Sequence, residues 1–257
     1  MKIATWNVNS IRVRLPHVLD WLRSHAPDIA CLQETKCVDA SFPADEFRAL
    51  DYEVVVNGQK TYNGVTTLSR MPQREVLRDL PGVTDPQRRF LASTVGTIRV
   101  INVYVPNGEA VGSEKYSYKL NWLSALAKYV AYELENATAL VVLGDFNVAP
   151  EARDVHDPEL WKGHVLFSEP EREALRVVVQ AGLVDVFRQF DQPENSFSWW
   201  DYRQAGFRRN HGLRIDHILA SESYARACQR CVIDKTPRAL ERPSDHAPVL
   251  AEFSERA

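Results

Sequence analysis

The sequence predicts an α/β protein whose mixed β-sheets carry helices on their outer faces, folded as one domain. Three observations lead there. Strand-length apolar runs recur from one end of the chain to the other, with amphipathic stretches at helical spacing between a few of them. Strands and helices do not alternate strictly, and residues 91–95 and 97–105, joined around Gly96, read as an antiparallel hairpin, so a doubly wound parallel sheet fits poorly. No Gly/Ser- or Pro-rich linker and no solenoid-length repeat divides the 257 residues, so residues 1–257 are expected to form a single domain. A chain of that length buries roughly 70–75% of its unfolded surface and needs no disulfide or metal to fold.

In order, strands are expected at residues 2–6, 28–33, 53–57, 65–69, 97–105, 139–143, 213–220, 231–234 and 249–253. A helix over 15–25 would take Pro16 in its first turn and set Val18, Leu19 and Leu22 on one face. A second, over 119–136, repeats Leu120, Leu123, Leu126, Ala127, Val130 and Leu134 at helical spacing and should lie on a sheet. A third, over 171–181, is closed by Gly182.

Composition narrows the class. Hydrophobic residues make up 45% and charged residues 25%, the balance of a soluble globular protein. The N-terminal MKIATWNVNS lacks the apolar core of a signal peptide, and the apolar run at 139–143 is far too short to span a membrane. Four cysteines in a chain this long do not build a disulfide framework, so a reduced, cytoplasmic protein with no membrane partner is expected. Cys228 and Cys231 form a lone C-x-x-C without a second half-site, and read as small side chains beside a strand rather than as zinc ligands. The formal net charge of −3 argues at face value against nucleic acid, whose binders usually carry a basic excess.

The polar residues at the ends of the apolar runs point elsewhere. Residues 2–6 end in Asn7, DIACLQ in Glu34, VINVY in Tyr104, and ALVVLG in Asp145 with Asn147 two residues on. Asp216 sits inside LRIDHIL, and Asp245-His246 precede the last strand. A carboxylate in a strand costs several kcal/mol to desolvate unless it is paired or metal-bound. One such residue is easily a turn or cap; repetition at so many strand ends suggests one polar site on one rim. Hard oxygen donors without cysteine select Mg²⁺, with Mn²⁺ as a substitute, over zinc. A carboxylate-bound Mg²⁺ beside a histidine and hydrogen-bond donors suits phosphate-ester hydrolysis. No Walker A loop, dinucleotide-binding glycine motif or G-x-S-x-G elbow is present, which disfavours kinases, dehydrogenases and that type of serine hydrolase. Residues 198–216, SWWDYRQAGFRRNHGLRID, interleave Arg203, Arg208, Arg209 and Arg214 with Trp199, Trp200, Tyr202 and Phe207, a mixture that suits phosphates and an unstacked sugar or base.

The motifs NVNSIR, LQETK, GQKTYNGV, DPQRR, VYVPNGE, GDFN, SWWDYR, GLRIDHIL and PSDHAPV, in that order, give the chain a resemblance to the exonuclease III family of apurinic/apyrimidinic (AP) endonucleases, within the endonuclease/exonuclease/phosphatase superfamily. The resemblance implies a four-layered α/β sandwich of the deoxyribonuclease I type, with the active site at one edge. By motif position, Glu34 and Asn7 would hold Mg²⁺, with Asp245 as a further ligand. Asp216 and His246 would form a dyad against the scissile phosphate, Tyr104 would donate to it, and Asn147 would position Asp145 near the attacking water or the leaving oxygen. Asp145 is the favoured general base, with the Asp216–His246 dyad as the competing assignment. Trp199 and Leu213 match positions of a pocket for a flipped abasic sugar, and Asn107, Lys36, Lys60, Arg88, Arg89 and Lys119 would join the arginines on the DNA backbone. Where some members carry Asp, this chain has Asn9, which removes a charge from the metal surroundings. The implied partner is double-stranded DNA with abasic sites or damaged 3′ ends, cut 5′ to the lesion or trimmed from the 3′ end by a monomer. The side chains that rank those activities are expected within 150–171 and 207–211. Two alternatives stay open: a superfamily phosphodiesterase or phosphatase acting on an inositol phosphate or phospholipid headgroup, and a non-catalytic DNA-binding relative.

Overall fold

The computed structural model describes residues 1–254. Its strands are β1 (Lys2–Asn7), β2 (Ile29–Gln33), β3 (Glu53–Asn57), β4 (Val65–Ser69), β5 (Gln73–Leu77), β6 (Phe90–Val95), β7 (Ile98–Tyr104), β8 (Ala139–Asp145), β9 (Leu183–Asp185), β10 (Trp199–Trp200), β11 (Gly212–Leu213), β12 (Asp216–Ser221), β13 (Cys228–Ile233) and β14 (Val249–Phe253). Its helices are α1 (Ile11–His25), α2 (Ala44–Arg48), α3 (Glu114–Asn136), α4 (Pro158–Trp161), α5 (Glu169–Gln180), α6 (Gly206–Arg209) and α7 (Glu222–Ala225).

Two six-stranded mixed sheets, ordered β13-β14-β1-β2-β4-β3 and β5-β6-β7-β8-β12-β9, form the middle layers. Strand alternation explains how they stack. In β1, Ile3 enters an apolar cluster between the sheets while Ala4 and Trp6 face α1. In β8, Ala139, Val141 and Leu143 point between the sheets while Leu140 and Val142 meet α3. Each central strand is therefore buried on both faces, which is why these runs read as continuously apolar. The outer layers are α1 and α2 on one sheet and α3 and α5 on the other, the four layers the resemblance implied.

The differences from expectation are local. Helix α1 begins a turn earlier than residue 15, so Pro16 lies inside it. Helix α3 begins at Glu114, because the Ser113 side chain caps the Tyr116 N–H; helix α5 begins at Glu169 behind a Ser168–Glu171 capping box. β5 (QREVL) is a polar edge strand without the expected alternation. The run 213–220 breaks at Arg214, which turns into the interior, so Asp216 opens β12 instead of sitting mid-strand. Cys228 and Cys231 lie on β13 as free thiols raised by burial, Cys228 to about 11. No helix among the described residues is long and apolar enough to cross a membrane.

Candidate active site

The same alternation that builds the core collects the polar residues at one end of the inter-sheet gap. Counting by twos from Ile3, Val100, Val141 and Ile218 arrives at Asn7, Tyr104, Asp145 and Asp216. Register then sets them abreast: Tyr104 pairs with Asp145 across parallel β7–β8, and Asp216 with Asp145 across antiparallel β8–β12. Asn7 pairs with Gln33 on the facing sheet, delivering Glu34 one residue later. Gly144 is required just before Asp145: its φ is +148° and a Cβ there would meet the Val103 carbonyl at 1.9 Å. Below the site, Gln33 Nε2 donates to Asn102 Oδ1 at 2.8 Å and to Thr5 Oγ1 at 2.9 Å, tying the two sheets together at this end.

Asp145 is the centre. The Asn7 side-chain N–H₂ donates to Asp145 Oδ2 and to Glu34 Oε1, each at 2.9 Å. The Asn147 backbone N–H donates to Asp145 Oδ1 at 2.9 Å and its side-chain amide to Oδ2 at 3.3 Å. His246 Nδ1 lies 2.8 Å from Asp216 Oδ2, and its Nε2 lies 3.7 Å from Asp145 Oδ2. The Ser198 hydroxyl donates to Asp216 Oδ2 at 2.7 Å. Sequence reading passed over that serine, since nothing distinguishes it from a loop serine until the fold brings it beneath the dyad. Asn9, Glu34, Lys36 and Asn147 all hold positive φ, a strained backbone of the kind that clusters at functional sites.

The electrostatics separate donors from acceptors. Burial pushes the Asp145 carboxyl up to about 7; His246 pulls it down, and Asp216 and Glu34 push it back. Burial alone would lower His246, but Asp216 and Asp145 carry it up to about 10. Burial, with Glu34 beside it, raises the Tyr104 phenol well above its ordinary value. Burial would raise Glu34, yet Lys36 at 2.9 Å holds it below the usual carboxylate range.

Glu34, Asp145 and His246 offer donor atoms all within 4.8 Å of one another. His246 has Nδ1 committed to Asp216 and offers nitrogen where Mg²⁺ or Mn²⁺ prefers the hard oxygen donors that the carboxylates supply. Two expected ligands stand differently. Asn7 presents its N–H₂, not its oxygen, to the carboxylates, and its Oδ1 accepts the Asn9 backbone N–H at 3.0 Å. Asp245 lies outside that cluster, with Oδ1 and Oδ2 accepting from Asn9 and Trp199.

The expected DNA-facing residues divide. Trp199 is half-exposed and pairs in register with Leu213, which is fully buried beneath it. Asn107 donates to Asn147 Oδ1 at 3.2 Å, and the Arg89 guanidinium covers the Tyr104 ring at 4.6 Å. Arg203 is fully exposed but paired with Asp201 at 2.6 Å, while Arg208 and Arg209 are exposed on α6. Lys119 is a correction: it is 0% exposed, pairs with Glu171 and donates to the Asn107 and Asn147 carbonyls at 3.0 and 2.7 Å. It braces the site loops from below and cannot reach a phosphate. The structure adds a cleft of about 640 Å³ beside Tyr104, walled by Tyr62, Asn63, Arg89, Asn107 and Tyr118. Tyr62 is exposed there, and Arg238 packs against the Tyr202 and Phe207 rings at 5.2 and 5.0 Å, holding the 199–213 arm.

Residues 4–246 match the Endonuclease/Exonuclease/phosphatase family. An exodeoxyribonuclease III of Haemophilus influenzae is 36% identical, the match covering 98% of this chain and 100% of that protein. A 3′-phosphatase from Neisseria bound to a product DNA hairpin superposes with a TM-score of 0.97 at 47% identity, covering 99% of this chain and 100% of that one. An AP endonuclease from Archaeoglobus fulgidus gives 0.95 at 41% identity, with the same coverage.

Proposed function

We propose, since the chain belongs to the Endonuclease/Exonuclease/phosphatase family and to its exonuclease III branch, that it is a Mg²⁺-dependent DNA repair nuclease. It would cut the phosphodiester 5′ to an abasic site and process damaged 3′ ends, working as a single-domain cytoplasmic monomer. The observation that carries this reading is the buried Asp145, held by Asn7 and Asn147 between Glu34 and the Asp216–His246 pair.

Glu34, 17% exposed at its side chain, would hold Mg²⁺; when bound, the ion supplies positive charge against the phosphate oxygens. Asp216 and Asp145 favour the protonated ring of His246, so it would serve as an N–H donor to the scissile phosphate rather than as the base. Asp216 fixes that ring through Nδ1, leaving Nε2 toward the site. Tyr104, held protonated, donates its O–H to the same phosphate. Asp145, poised near 7, takes the proton of the attacking water, and the two N–H bonds from Asn147 fix the direction from which it does so. The leading assignment of the base is therefore Asp145 over the dyad.

The phospholipid-headgroup alternative has no use for the Trp199 platform and the exposed Arg208 and Arg209 on the same 199–213 arm. The test is cleavage by the purified protein of an abasic duplex, a 3′-phosphate nick and a recessed 3′ end in Mg²⁺, then with EDTA added. Cutting of at least one DNA substrate that stops with EDTA is expected. EDTA-resistant cutting overturns the metal assignment, and activity on an inositol phosphate with none on DNA overturns the substrate.

A further inference from the structure

We propose that Asp245 is a positioning residue for Trp199, and not a ligand of the metal. The proposal rests on the nuclease reading above for its consequence, but its geometry stands in the protein alone.

Both oxygens of the carboxylate accept from N–H donors, as those of Glu34 do; what sets Asp245 apart is that it lies outside the group of Glu34, Asp145 and His246, whose donor atoms converge within 4.8 Å. Trp199 Nε1 donates to Oδ2 at 3.0 Å and Asn9 Nδ2 to Oδ1 at 2.9 Å. A hydrogen bond from an indole to a full charge is among the stronger kinds in proteins. The backbone on either side holds the pair in place: the Trp200 N–H donates to the Asp245 carbonyl at 3.0 Å, and Trp199 bridges His246. Asn9 is itself fixed, its Oδ1 accepting from Lys36, which pairs with Glu34 at 2.9 Å. A continuous chain of contacts, Glu34–Lys36–Asn9–Asp245–Trp199, thus runs from the acid cluster to the half-exposed indole above the buried Leu213.

The identity of residue 9 decides what Asp245 does. A carboxylate at that position would face Asp245 with like charge, and the pair would call for a cation between them. The Asn9 amide supplies an N–H where that cation would sit, so Asp245 is satisfied without one. Its negative charge is spent on fixing the plane of the Trp199 ring. A fixed ring gives the pocket a set width, which is how a rigid aromatic wall admits a bare sugar and excludes a stacked base. Asp245 therefore acts on substrate affinity and selectivity through Trp199, and the metal requirement is left to Glu34.

The test begins with the protein labelled with ¹⁵N-tryptophan, whose six indoles give separate N–H resonances; the one lost in Trp199→Phe is that of Trp199. In EDTA this resonance should shift and exchange faster with solvent in Asp245→Ala, and return in Asp245→Asn, whose amide oxygen still accepts. Adding Mg²⁺ to saturation should leave its slow exchange intact in the wild type. Binding of a duplex carrying a non-cleavable abasic analogue should weaken about tenfold in Asp245→Ala and in Trp199→Phe, and the double variant should be no weaker than either single one. Release of the Trp199 indole on adding Mg²⁺, a tenfold rise in the Mg²⁺ needed by Asp245→Asn, or additive losses in the double variant would each overturn the proposal. Failure of the wild type to cut any DNA would overturn the nuclease reading, while the indole measurements would still decide the anchor.

Discussion

Two buried charge clusters lie on opposite faces of one sheet, a single residue apart along β12. Asp216 points between the sheets to His246; the next side chain, His217, points outward to Arg214. The outward cluster is balanced. Arg214, 1% exposed, donates to Asp154 at 2.6 Å and pairs with Asp185 at 2.8 Å, and Arg188 also pairs with Asp154. Burial would raise Asp154, but Arg214 holds it below the usual carboxylate range. His217, lowered to about 4 by burial and by Arg214, stays neutral, donating from Nε2 to the Val148 carbonyl at 2.9 Å and accepting at Nδ1. The inward cluster is not balanced: Glu34, Asp145 and Asp216 share His246 and the outlying Lys36, and Asp145 is left near 7. Same sheet and same burial, yet one cluster is saturated with partners and the other keeps a deficit of positive charge that a bound cation would complete. The deficit, more than the presence of buried charge, marks the functional site.

The largest effect should come from breaking the unbalanced side. Asp145→Asn and His246→Ala are each expected to lose about 10²–10⁴ in cleavage rate, measured by single-turnover kinetics on an abasic duplex. Stability should move the other way for Asp145→Asn. In EDTA a carboxyl whose folded value is about 7 against an ordinary 3.8 binds more protons folded than unfolded, so stability falls as pH rises through that window. At pH 8 the metal-free Asp145→Asn protein should therefore melt above the metal-free wild type. A variant that keeps full turnover, or that melts lower, would contradict the idea that Asp145 trades stability for chemistry.

The contrast also explains what the sequence made legible. Asn7, Glu34, Asp145, Asp216 and His246 each end or open an apolar run or stand just before one, and a period-2 strand carries such a residue to a predictable rim, so the acids could be assembled before any coordinates. The hairpin of β6 and β7 and the amphipathic face of α3 were legible for the same reason. Arg214 was not. It sits in an arginine-rich run with Arg208 and Arg209, and only the break between β11 and β12 turns it inward to Asp154 and Asp185, residues distant in sequence. Lys119 was misread in the same way: a lysine on an amphipathic helix reads as solvated until Glu171 and two loop carbonyls close over it. Partners far apart in the chain leave no local pattern, and Asp245's indole contact belongs to that class too.

On the balanced side the expected effect is on folding. Arg214→Ala leaves Asp154 and Asp185 buried without their main counter-charge, and removal of one partner of a buried pair costs about 3–5 kcal/mol. Urea unfolding should show that loss as a lower midpoint at unchanged slope, while the folded fraction retains cleavage within a few-fold of wild type. A rate loss as deep as that of Asp145→Asn, at unchanged stability, would mean the two faces of β12 are one functional unit after all.

The smallest effect belongs to the exposed arm, where charge is not buried and only partly balanced. Arg208 and Arg209 on α6 have no ion-pair partner among the described residues, whereas Arg203 on the same arm spends its guanidinium on Asp201. If the first two contact phosphates, each contributes about one counterion to the salt dependence of binding. Arg208→Ala with Arg209→Ala should therefore weaken DNA binding several-fold at low salt, flatten the slope of log affinity against log salt by about two, and leave the single-turnover rate at saturating DNA unchanged. Arg203→Ala should flatten it by much less, because its charge is already compensated. Equal slopes for the two variants would show that Asp201 releases its partner on binding, and that the pairing seen on this arm belongs only to the free protein.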